Sequence, residues 1–380
     1  MAIFCSPLCS QSERIISIQE AESRFKFSDI FTFEGYTKLE LKNDSYVFSA
    51  DEVLFDSDDI FILNDAGRTQ EGIIVFDRQS GQYKGRTGQQ GEGPSEYRGL
   101  RDISFSNNGE EILAYDATKL SFKSYNKEGV FEAYKKVFIS CTEFEVLRSG
   151  YKVLYNEFEP GAFDVSGYYY ITILNPQGKI HRSLLEIPKE LINNTPSLYS
   201  FTGSLSKNAN TILFSPPFGE TIYRIDENRA QSAYKIDFGS SKIPARMRKN
   251  LSSITLNPMI AVDYSYLATN FYKLKNYLLF GFKDKNRMTY GIFDEEKEKL
   301  YLPKNAEYGP FKTLLSDVSF SGLEPVDEDT VALIVDPERF IDLRDNTDIM
   351  KEIKLMPELY KLLANISEVD NSIVLYFKMK

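Results

Sequence analysis

Short segments of alternating apolar and polar residues, separated by turn residues, run along almost the whole chain. Six segments rich in aliphatic and aromatic residues lie at residues 60–63, 112–115, 151–155, 211–215, 277–282 and 331–335. They recur about every 40 to 65 residues, which is the period expected of four-stranded blades in a β-propeller. We interpret each segment as the second strand of one blade.

Each of these segments is followed by another run with strand character. The third strands are predicted at residues 72–76, 120–125, 168–174, 221–225, 288–293 and 372–377. The connections at residues 78–81, 126–129 and 175–178 all end in glycine, as hairpin turns do where a positive φ is needed. The pattern therefore predicts an all-β chain that folds as a six-bladed β-propeller.

The sixth unit lacks a fourth strand, because the sequence ends just after its third strand. A propeller has to close its ring, and an N-terminal strand commonly supplies the missing edge. Residues 36–41 alternate with period two and precede the first complete unit. We predict that they pair antiparallel with residues 372–377 and so close the last blade.

One stretch near the C-terminus has the periodicity of a helix instead of a strand. Pro357 can open this helix, since proline is favoured at the first helical position. Its apolar positions follow the i, i+3, i+4, i+7 spacing: Leu359, Leu362, Leu363 and Ile366. We expect a short helical insert at about residues 339–366, between the second and third strands of blade six.

The N-terminal residues have a different character from the rest of the chain. Residues 1–11 are a short apolar stretch that runs into small and polar residues, as at the end of a secretory signal peptide. We expect residues 1–24 to be a signal-peptide remnant and linker, and residues 25–380 to form the propeller. A lipid anchor at Cys5 or Cys9 is an alternative, although neither follows the small residue that bacterial lipidation needs. Without this segment Cys141 is the only thiol.

Composition and charge exclude several classes of function. The 24 Tyr and 28 Phe, with no Trp, suit half-buried pleated surfaces. The formal net charge of −10 and the absence of a Lys/Arg stripe argue against a nucleic-acid partner. No apolar run approaches the length of about 18 residues that a transmembrane span requires. His181 is the only histidine, which excludes a His-dependent triad or a multi-histidine zinc site.

Segments in three parts of the chain carry a resemblance to a known family. Residues 91–97 read Gly-Glu-Gly-Pro-Ser-Glu-Tyr, and residues 369–376 read Val-Asp-Asn-Ser-Ile-Val-Leu-Tyr. Between them, residues 221–225 read Thr-Ile-Tyr-Arg-Ile and are followed by Ala-Tyr-Lys-Ile-Asp-Phe-Gly at residues 233–239 and by Pro244. In their order along the chain they resemble the exported six-bladed β-propeller proteins of Bacteroides-type bacteria, which are similar to NHL-repeat propellers. The resemblance implies the same fold and export to the periplasm or the cell surface. It implies no particular chemistry.

The glycine-rich loop at residues 88–97 is the first candidate site. It lacks the Lys-Ser/Thr pair of a phosphate-binding loop, so nucleotide binding is not indicated. We favour a tight crossover between blades, rigidified by proline and tied by hydrogen bonds. In the alternative interpretation the loop contacts a ligand on one face of the disc. The candidate ligand-binding residues are Glu92, Pro94, Glu96, Tyr97, Arg98 and Arg101.

Acidic residues at the start of the predicted innermost strands form the second candidate site. The four residues are Glu52, Asp102, Glu143 and Asp317. Innermost strands surround the central channel, so equivalent positions in different blades converge on its axis. Carboxylates gathered there could hold Ca²⁺, a hard cation that prefers oxygen ligands. The simpler interpretation is that they are water-facing residues at strand ends.

Two functions remain open on the sequence alone. The first is an exported, non-catalytic binding or scaffold propeller, monomeric, that engages a protein or a glycan through the loops of one face. The second is a metal-dependent hydrolase or lyase of the lactonase type, with the channel carboxylates as ligands. The acidic positions favour the second, whereas the lack of usable histidine favours the first.

Overall fold

A computed structural model describes most of the chain. The described ranges are residues 13–42, 44–47, 50–64, 72–155, 168–188, 204–208, 211–248, 263–285, 287–315, 323–344 and 346–380. Asp317 of the predicted acidic set lies outside them.

The elements that precede the first blade belong to three different parts of the disc. They are β1 (Arg14–Ser17), β2 (Phe25–Lys26), α1 (Phe27–Ile30) and β3 (Phe31–Lys38). β1 joins the edge of blade four, β2 forms a two-stranded sheet with a segment after blade five, and β3 belongs to blade six. The chain thus contacts distant blades before it builds its first one.

The first three blades each contain four antiparallel strands in sequence order. Blade one comprises β4 (Ala50–Phe55), β5 (Asp59–Asn64), β6 (Gly72–Asp77) and β7 (Tyr83–Thr87). A short pair, β8 (Gln89–Gln90) and β9 (Glu96–Tyr97), leads to blade two, which comprises β10 (Leu100–Phe105), β11 (Glu111–Asp116), β12 (Ser121–Asn126) and β13 (Phe131–Lys136). Blade three comprises β14 (Glu143–Val146), β15 (Lys152–Tyr155), β16 (Tyr169–Leu174) and β17 (Ile180–Glu186).

Blades four and five repeat this plan with additions. Blade four comprises β18 (Ser204–Asn208), β19 (Thr211–Ser215), β20 (Thr221–Ile225) and β21 (Ala230–Asp237), followed by α2 (Ala245–Arg248). Blade five comprises β22 (Tyr266–Leu274), β23 (Tyr277–Asp284), β24 (Arg287–Asp294) and β25 (Lys299–Tyr301). The chain continues through β26 (Ala306–Glu307) and α3 (Lys312–Leu315). Single 3-10 turns lie at Ile18–Glu20, Gly239–Ser241, Pro303–Asn305 and Gly309–Phe311.

Blade six is assembled from both ends of the chain. It comprises β27 (Leu323–Pro325), β28 (Thr330–Val335), the helices α4 (Pro337–Arg344), α5 (Thr347–Ile353) and α6 (Pro357–Asn365), and β29 (Ile373–Met379). Its strand order is β27-β28-β29-β3. The six-bladed propeller, the closing N-terminal strand and the helical insert are therefore confirmed.

The closing strand begins earlier than the alternation of residues 36–41 predicts. β3 pairs antiparallel with β29, with Thr37 opposite Val374 and Phe31 opposite Met379. The pairing ends at Lys38, and Leu41 is 46% exposed. A bulge between Phe33 and Gly35 shifts the period-two pattern at this point, and Phe31 beyond it is buried against a phenylalanine cluster.

The join between blades six and one depends on a glycine. Gly81, at the end of the predicted hairpin turn 78–81, has φ +73°. A Cβ at this position would lie 2.0 Å from the carbonyl oxygen of Lys38 on β3. Glycine therefore serves both the turn geometry and the close approach of the closing strand to blade one.

The predicted linker at residues 13–24 contains ordered structure. β1 pairs in parallel with β21 and becomes the fifth strand of blade four. Its Ile16 is 2% exposed whereas Ile15 is 68% exposed, the alternation of an edge strand with one buried face. In the structure, the propeller fold begins at β1, before the predicted boundary at residue 25.

The hydrophobic core lies between the blades and beneath the helical insert. The second and third strands are the most buried, as in β5, where all six residues are buried. α6 buries Leu359, Leu362 and Leu363, the same face that the sequence pattern predicts. No helix among the described residues is long and apolar enough to cross a membrane.

Candidate functional site: an acidic cavity on the propeller axis

The first strands of the blades surround the axis of the disc. β4, β10, β14, β18 and β22 contact one another in this order. Side chains alternate between the two faces of a blade, so every second residue of a first strand faces the same neighbouring blade. On β10, for example, Asp102 and Ser104 face blade three and line an axial cavity, while Ile103 packs on the opposite face against blade one. The cavity has a volume of about 360 Å³.

Carboxylates dominate the polar lining of this axial cavity. Five contribute: Glu52 on β4, Asp102 on β10, Glu143 and Glu145 on β14, and Glu324 on β27. The cationic lining residues are Lys207 and the exposed Arg148. Tyr272 of β22 adds a hydroxyl group. The described lining therefore carries more acidic than basic side chains.

Four of the five carboxylates are held by donors of the protein. Asp102 accepts the backbone N–H of Ile103 at 2.8 Å and that of Phe144 at 2.5 Å. Glu143 accepts the backbone N–H of Leu205 at 2.6 Å.

Glu145 and Glu324 are the other two carboxylates with protein donors, and hydroxyl groups hold both of them. The Ser104 hydroxyl donates to Glu145 at 2.7 Å, and the Tyr272 hydroxyl donates to Glu324 at 2.8 Å. These bonds bridge neighbouring blades and fix the direction of each carboxylate.

Burial and mutual repulsion disfavour the charged forms of these groups. Burial raises the pKa of Glu324 to about 8 and also raises the pKa of Glu145. The pKa values of Glu52 and Asp102 lie well above the usual carboxyl range, first because of burial and then because of the neighbouring carboxylates. At neutral pH the cavity therefore holds at least one proton on its acidic groups.

The structure brings three of the four predicted channel residues to one cavity. Glu52, Asp102 and Glu143 lie there, and Asp317 lies outside the described residues. The metal-binding role stays a prediction. Within the described ranges, no three His, Cys, Asp or Glu side chains are grouped so that they could hold a metal ion.

Sequence reasoning missed two of the five carboxylates. Glu145 follows Glu143 by two residues and therefore faces the same side of β14, so strand periodicity could have found it. Glu324 lies on β27, the described first strand of blade six, whereas the sequence suggested that this strand starts near residue 317. The position of Glu324 in the cavity depends on how β27 aligns with β28, and the weak alternation of apolar and polar residues around residue 323 does not indicate this alignment.

The glycine-rich loop has an internal structural network. Lys119 donates to the carbonyl groups of Gly91 at 2.9 Å, Gly93 at 3.2 Å and Glu96 at 3.0 Å. Glu96 in turn accepts the backbone N–H of Gly93 at 2.7 Å. These contacts agree with the crossover interpretation.

None of the candidate ligand-binding residues of this loop is among the lining residues of the axial cavity. Tyr97 is buried between blades one and two, and Glu92 and Arg98 form an exposed ion pair at 2.7 Å. Pro94 and Arg101 are exposed. Their ligand role stays a prediction. The only histidine, His181, is exposed on the outer strand β17, as expected.

The raised pKa values predict a specific pH dependence of stability. Between the ordinary carboxyl range and pH 8, folded Glu324 holds a proton that the unfolded chain releases, so stability falls as the pH rises through this window. We expect unfolding free energy to drop by about 2 to 4 kcal/mol from pH 5 to pH 8, since one pKa unit corresponds to about 1.4 kcal/mol. Chemical denaturation across this range measures it.

A matched pair of variants isolates the contribution of the cavity. Glu324→Gln keeps the acceptor for Tyr272 but cannot ionise, so its pH profile should be flatter than that of the wild type. Glu368→Gln, on an exposed residue outside the cavity, should keep the wild-type profile. Equal profiles for all three proteins would contradict the raised pKa of Glu324.

Comparison with known proteins identifies the family. Residues 13–378 match the family model of a domain of unknown function, DUF4934, and the chain therefore belongs to this family. No curated protein matches the sequence.

Two solved structures show the same fold. A protein from Bacteroides fragilis described as a "Putative exported protein" is 19% identical over 96% of this chain and 99% of its own, with a TM-score of 0.72. A member of the DUF4221 family from Bacteroides vulgatus is 11% identical over 92% of this chain and 98% of its own, with a TM-score of 0.55. At these identities the likeness concerns the fold alone.

Proposed function

We propose that this protein is an exported, non-catalytic binding propeller that accepts part of a protein or glycan ligand in its axial cavity. The main support for this proposal is the axial cavity, which has a volume of about 360 Å³ and is lined by five carboxylates on the first strands of four blades. Such a concave site with a few convergent polar groups is the usual form of a ligand site. Keeping these carboxylates together costs stability, which favours a functional reason for them.

Export to the periplasm or cell surface is supported by two independent features. Residues 1–11 resemble the end of a secretory signal peptide. The similar Bacteroides fragilis protein is described as exported. Mass spectrometry of the protein from its native host should find a mature N-terminus after Ser10 or Gln11. An intact N-terminus would contradict export, and a mass increase at Cys9 would indicate a lipid anchor.

The opening of the cavity supports recognition through one face of the disc. The turn at residues 106–109 and the side chains of Arg148 and Val326 border it. Asn107 and Asn108 of this turn can donate and accept hydrogen bonds, as a glycan or a peptide backbone requires. We propose that the protein performs this function as a monomer.

Native mass spectrometry tests ligand binding even while the ligand is unidentified. The wild type and the double variant Glu52→Gln/Glu324→Gln should be purified from the native host under non-denaturing conditions. We expect an additional non-covalent mass on the wild type and a weaker or absent one on the double variant. The single variant Glu368→Gln should keep the ligand. Bare chains in all three preparations would contradict the proposal.

A metal-dependent hydrolase or lyase of the lactonase type is the second candidate. The meeting of Glu52, Asp102 and Glu143 in one cavity favours it. It requires a cation such as Ca²⁺, which would stabilise the fold by about 2.7 kcal/mol at a hundredfold excess over its dissociation constant. Thermal unfolding with calcium and with a chelator separates the candidates. Equal midpoints support the binding protein, and a higher midpoint with calcium supports the enzyme.

A further inference from the structure

Glu52 differs from the other acidic residues of the axial cavity. Within the described part of the chain, its carboxylate accepts no hydrogen bond from a protein donor, whereas each of the other four does. Its side chain is half-buried, and the neighbouring carboxyl groups are those of Asp102, Glu324, Glu145 and Glu143. It lines the cavity. A half-buried acceptor among like charges lacks the hydrogen-bonded compensation that the other four carboxylates have.

The arrangement suits an ammonium group better than a metal ion. Ca²⁺ needs six to eight oxygen ligands at about 2.3–2.6 Å. No group of three or more His, Cys, Asp or Glu side chains among the described residues could hold a metal ion. Four of the five carboxylates already accept hydrogen bonds from protein donors, which fix their orientation. A primary ammonium group has three donors and forms strong hydrogen bonds at about 2.7–2.9 Å to a single carboxylate. One unoccupied acceptor is therefore enough for it.

The size and the apolar lining of the cavity indicate what the ammonium group is attached to. The volume of about 360 Å³ greatly exceeds that of a single ion, since one water occupies about 30 Å³. Leu54, Phe55, Phe105 and Val326 supply apolar surface beside the carboxylates. Such surface accommodates methylene groups, as the stem of a lysine side chain does in a protein.

We propose that the axial cavity binds a primary alkylammonium group, with Glu52 as its counter-ion and the methylene chain against Leu54, Phe55 and Phe105. This inference rests on the proposed binding function and gives the ligand its chemical class. The group could belong to a free diamine or to a lysine side chain of a peptide. Both present the same ammonium group on a short methylene chain.

Isothermal titration calorimetry at pH 7 tests the inference with defined probes. The probes are 1,5-diaminopentane, Nα-acetyl-lysine methylamide, the neutral 1-pentanol and calcium chloride. We expect at least one of the two amines to bind the wild type, and 1-pentanol and calcium to give no binding. Preference for the diamine indicates a free amine, and preference for the lysine derivative indicates a peptide.

Two variants link binding to Glu52. Glu52→Gln keeps the shape of the side chain and cannot ionise beside an ammonium group, so the fold should be retained and the dissociation constant should rise about tenfold or more. Glu368→Gln should bind as the wild type does. If neither amine binds the wild type, or if Glu52→Gln binds equally well, the inference is overturned. A co-purified ligand that is not an amine would leave the binding function standing and remove only the amine.

Discussion

A variant that lacks residues 1–38 is expected to lose the cooperative unfolding transition of the propeller. The deletion removes β3, which forms the outer edge of blade six and pairs with β29 over its whole length. It also removes β1 from blade four and α1 from the cluster beneath blade six. Val374, Leu375 and Phe377 are fully buried in β29 and would lose their covering strand. An exposed apolar edge of this kind favours aggregation.

A shorter deletion provides the control. A variant that lacks only residues 1–12 keeps every element from β1 onward and should unfold within about 2 °C of the full-length protein. A synthetic peptide of residues 25–40, added to the longer deletion, should restore part of the transition because it can pair with the free edge of β29. A longer deletion that melts at the wild-type temperature would contradict closure by β3. Circular dichroism during heating measures all three.

Phe377→Ala is expected to lower the free energy of unfolding by about 3 to 5 kcal/mol, the usual cost of emptying a buried phenylalanine site. Phe377 has no exposed surface. Its ring contacts four others, with centroid distances of 5.5, 6.4, 5.8 and 5.2 Å to Phe27, Phe31, Phe33 and Phe311. Three of these residues precede blade one in the sequence and the fourth follows blade five. The void left by alanine would therefore weaken the packing of the two chain ends on the propeller.

An exposed residue of the same region serves as the matched control. Leu355, between α5 and α6, is 83% exposed, so Leu355→Ala should change the free energy by less than about 0.5 kcal/mol. Urea denaturation of both variants gives the values, and the slope should be unchanged because the unfolded surface is similar. A decrease in the free energy of unfolding of less than about 1 kcal/mol for Phe377→Ala would show that this aromatic cluster does not stabilise the closure of blade six.

The propeller was predictable because its signal is repeated. Each blade contributes a second strand that is largely buried on both faces, and such strands are rich in consecutive apolar residues, as in β5. The helix α6 was predictable because its leucines follow the helical period over two turns. Local sequence determines both features.

Other features depend on contacts between distant residues and were not predictable. β1 is four residues long and gains its structure only by pairing with β21, more than 200 positions later in the chain. The start of β3 is hidden because a bulge between Phe33 and Gly35 shifts its alternation, and its partner strand β29 lies at the opposite end of the chain.

The acidic cavity illustrates the same limit. The acidic residues predicted near the start of the inner strands include Glu52, Asp102 and Glu143, which meet because these strands surround the axis. The sequence could not place Glu324, whose strand register is set by pairing with β28. It also could not distinguish Glu52 from its neighbours, since the lack of a donor becomes visible only when the blades are assembled.

A crystal structure of the protein grown with 1,5-diaminopentane would show whether the acidic cavity on the axis is a ligand site in which Glu52 pairs with an ammonium group. We expect electron density for the diamine in the cavity, with one nitrogen about 3 Å from a carboxylate oxygen of Glu52. A cavity that holds only water, a metal ion bound by its carboxylates, or a diamine bound elsewhere on the disc would contradict this expectation.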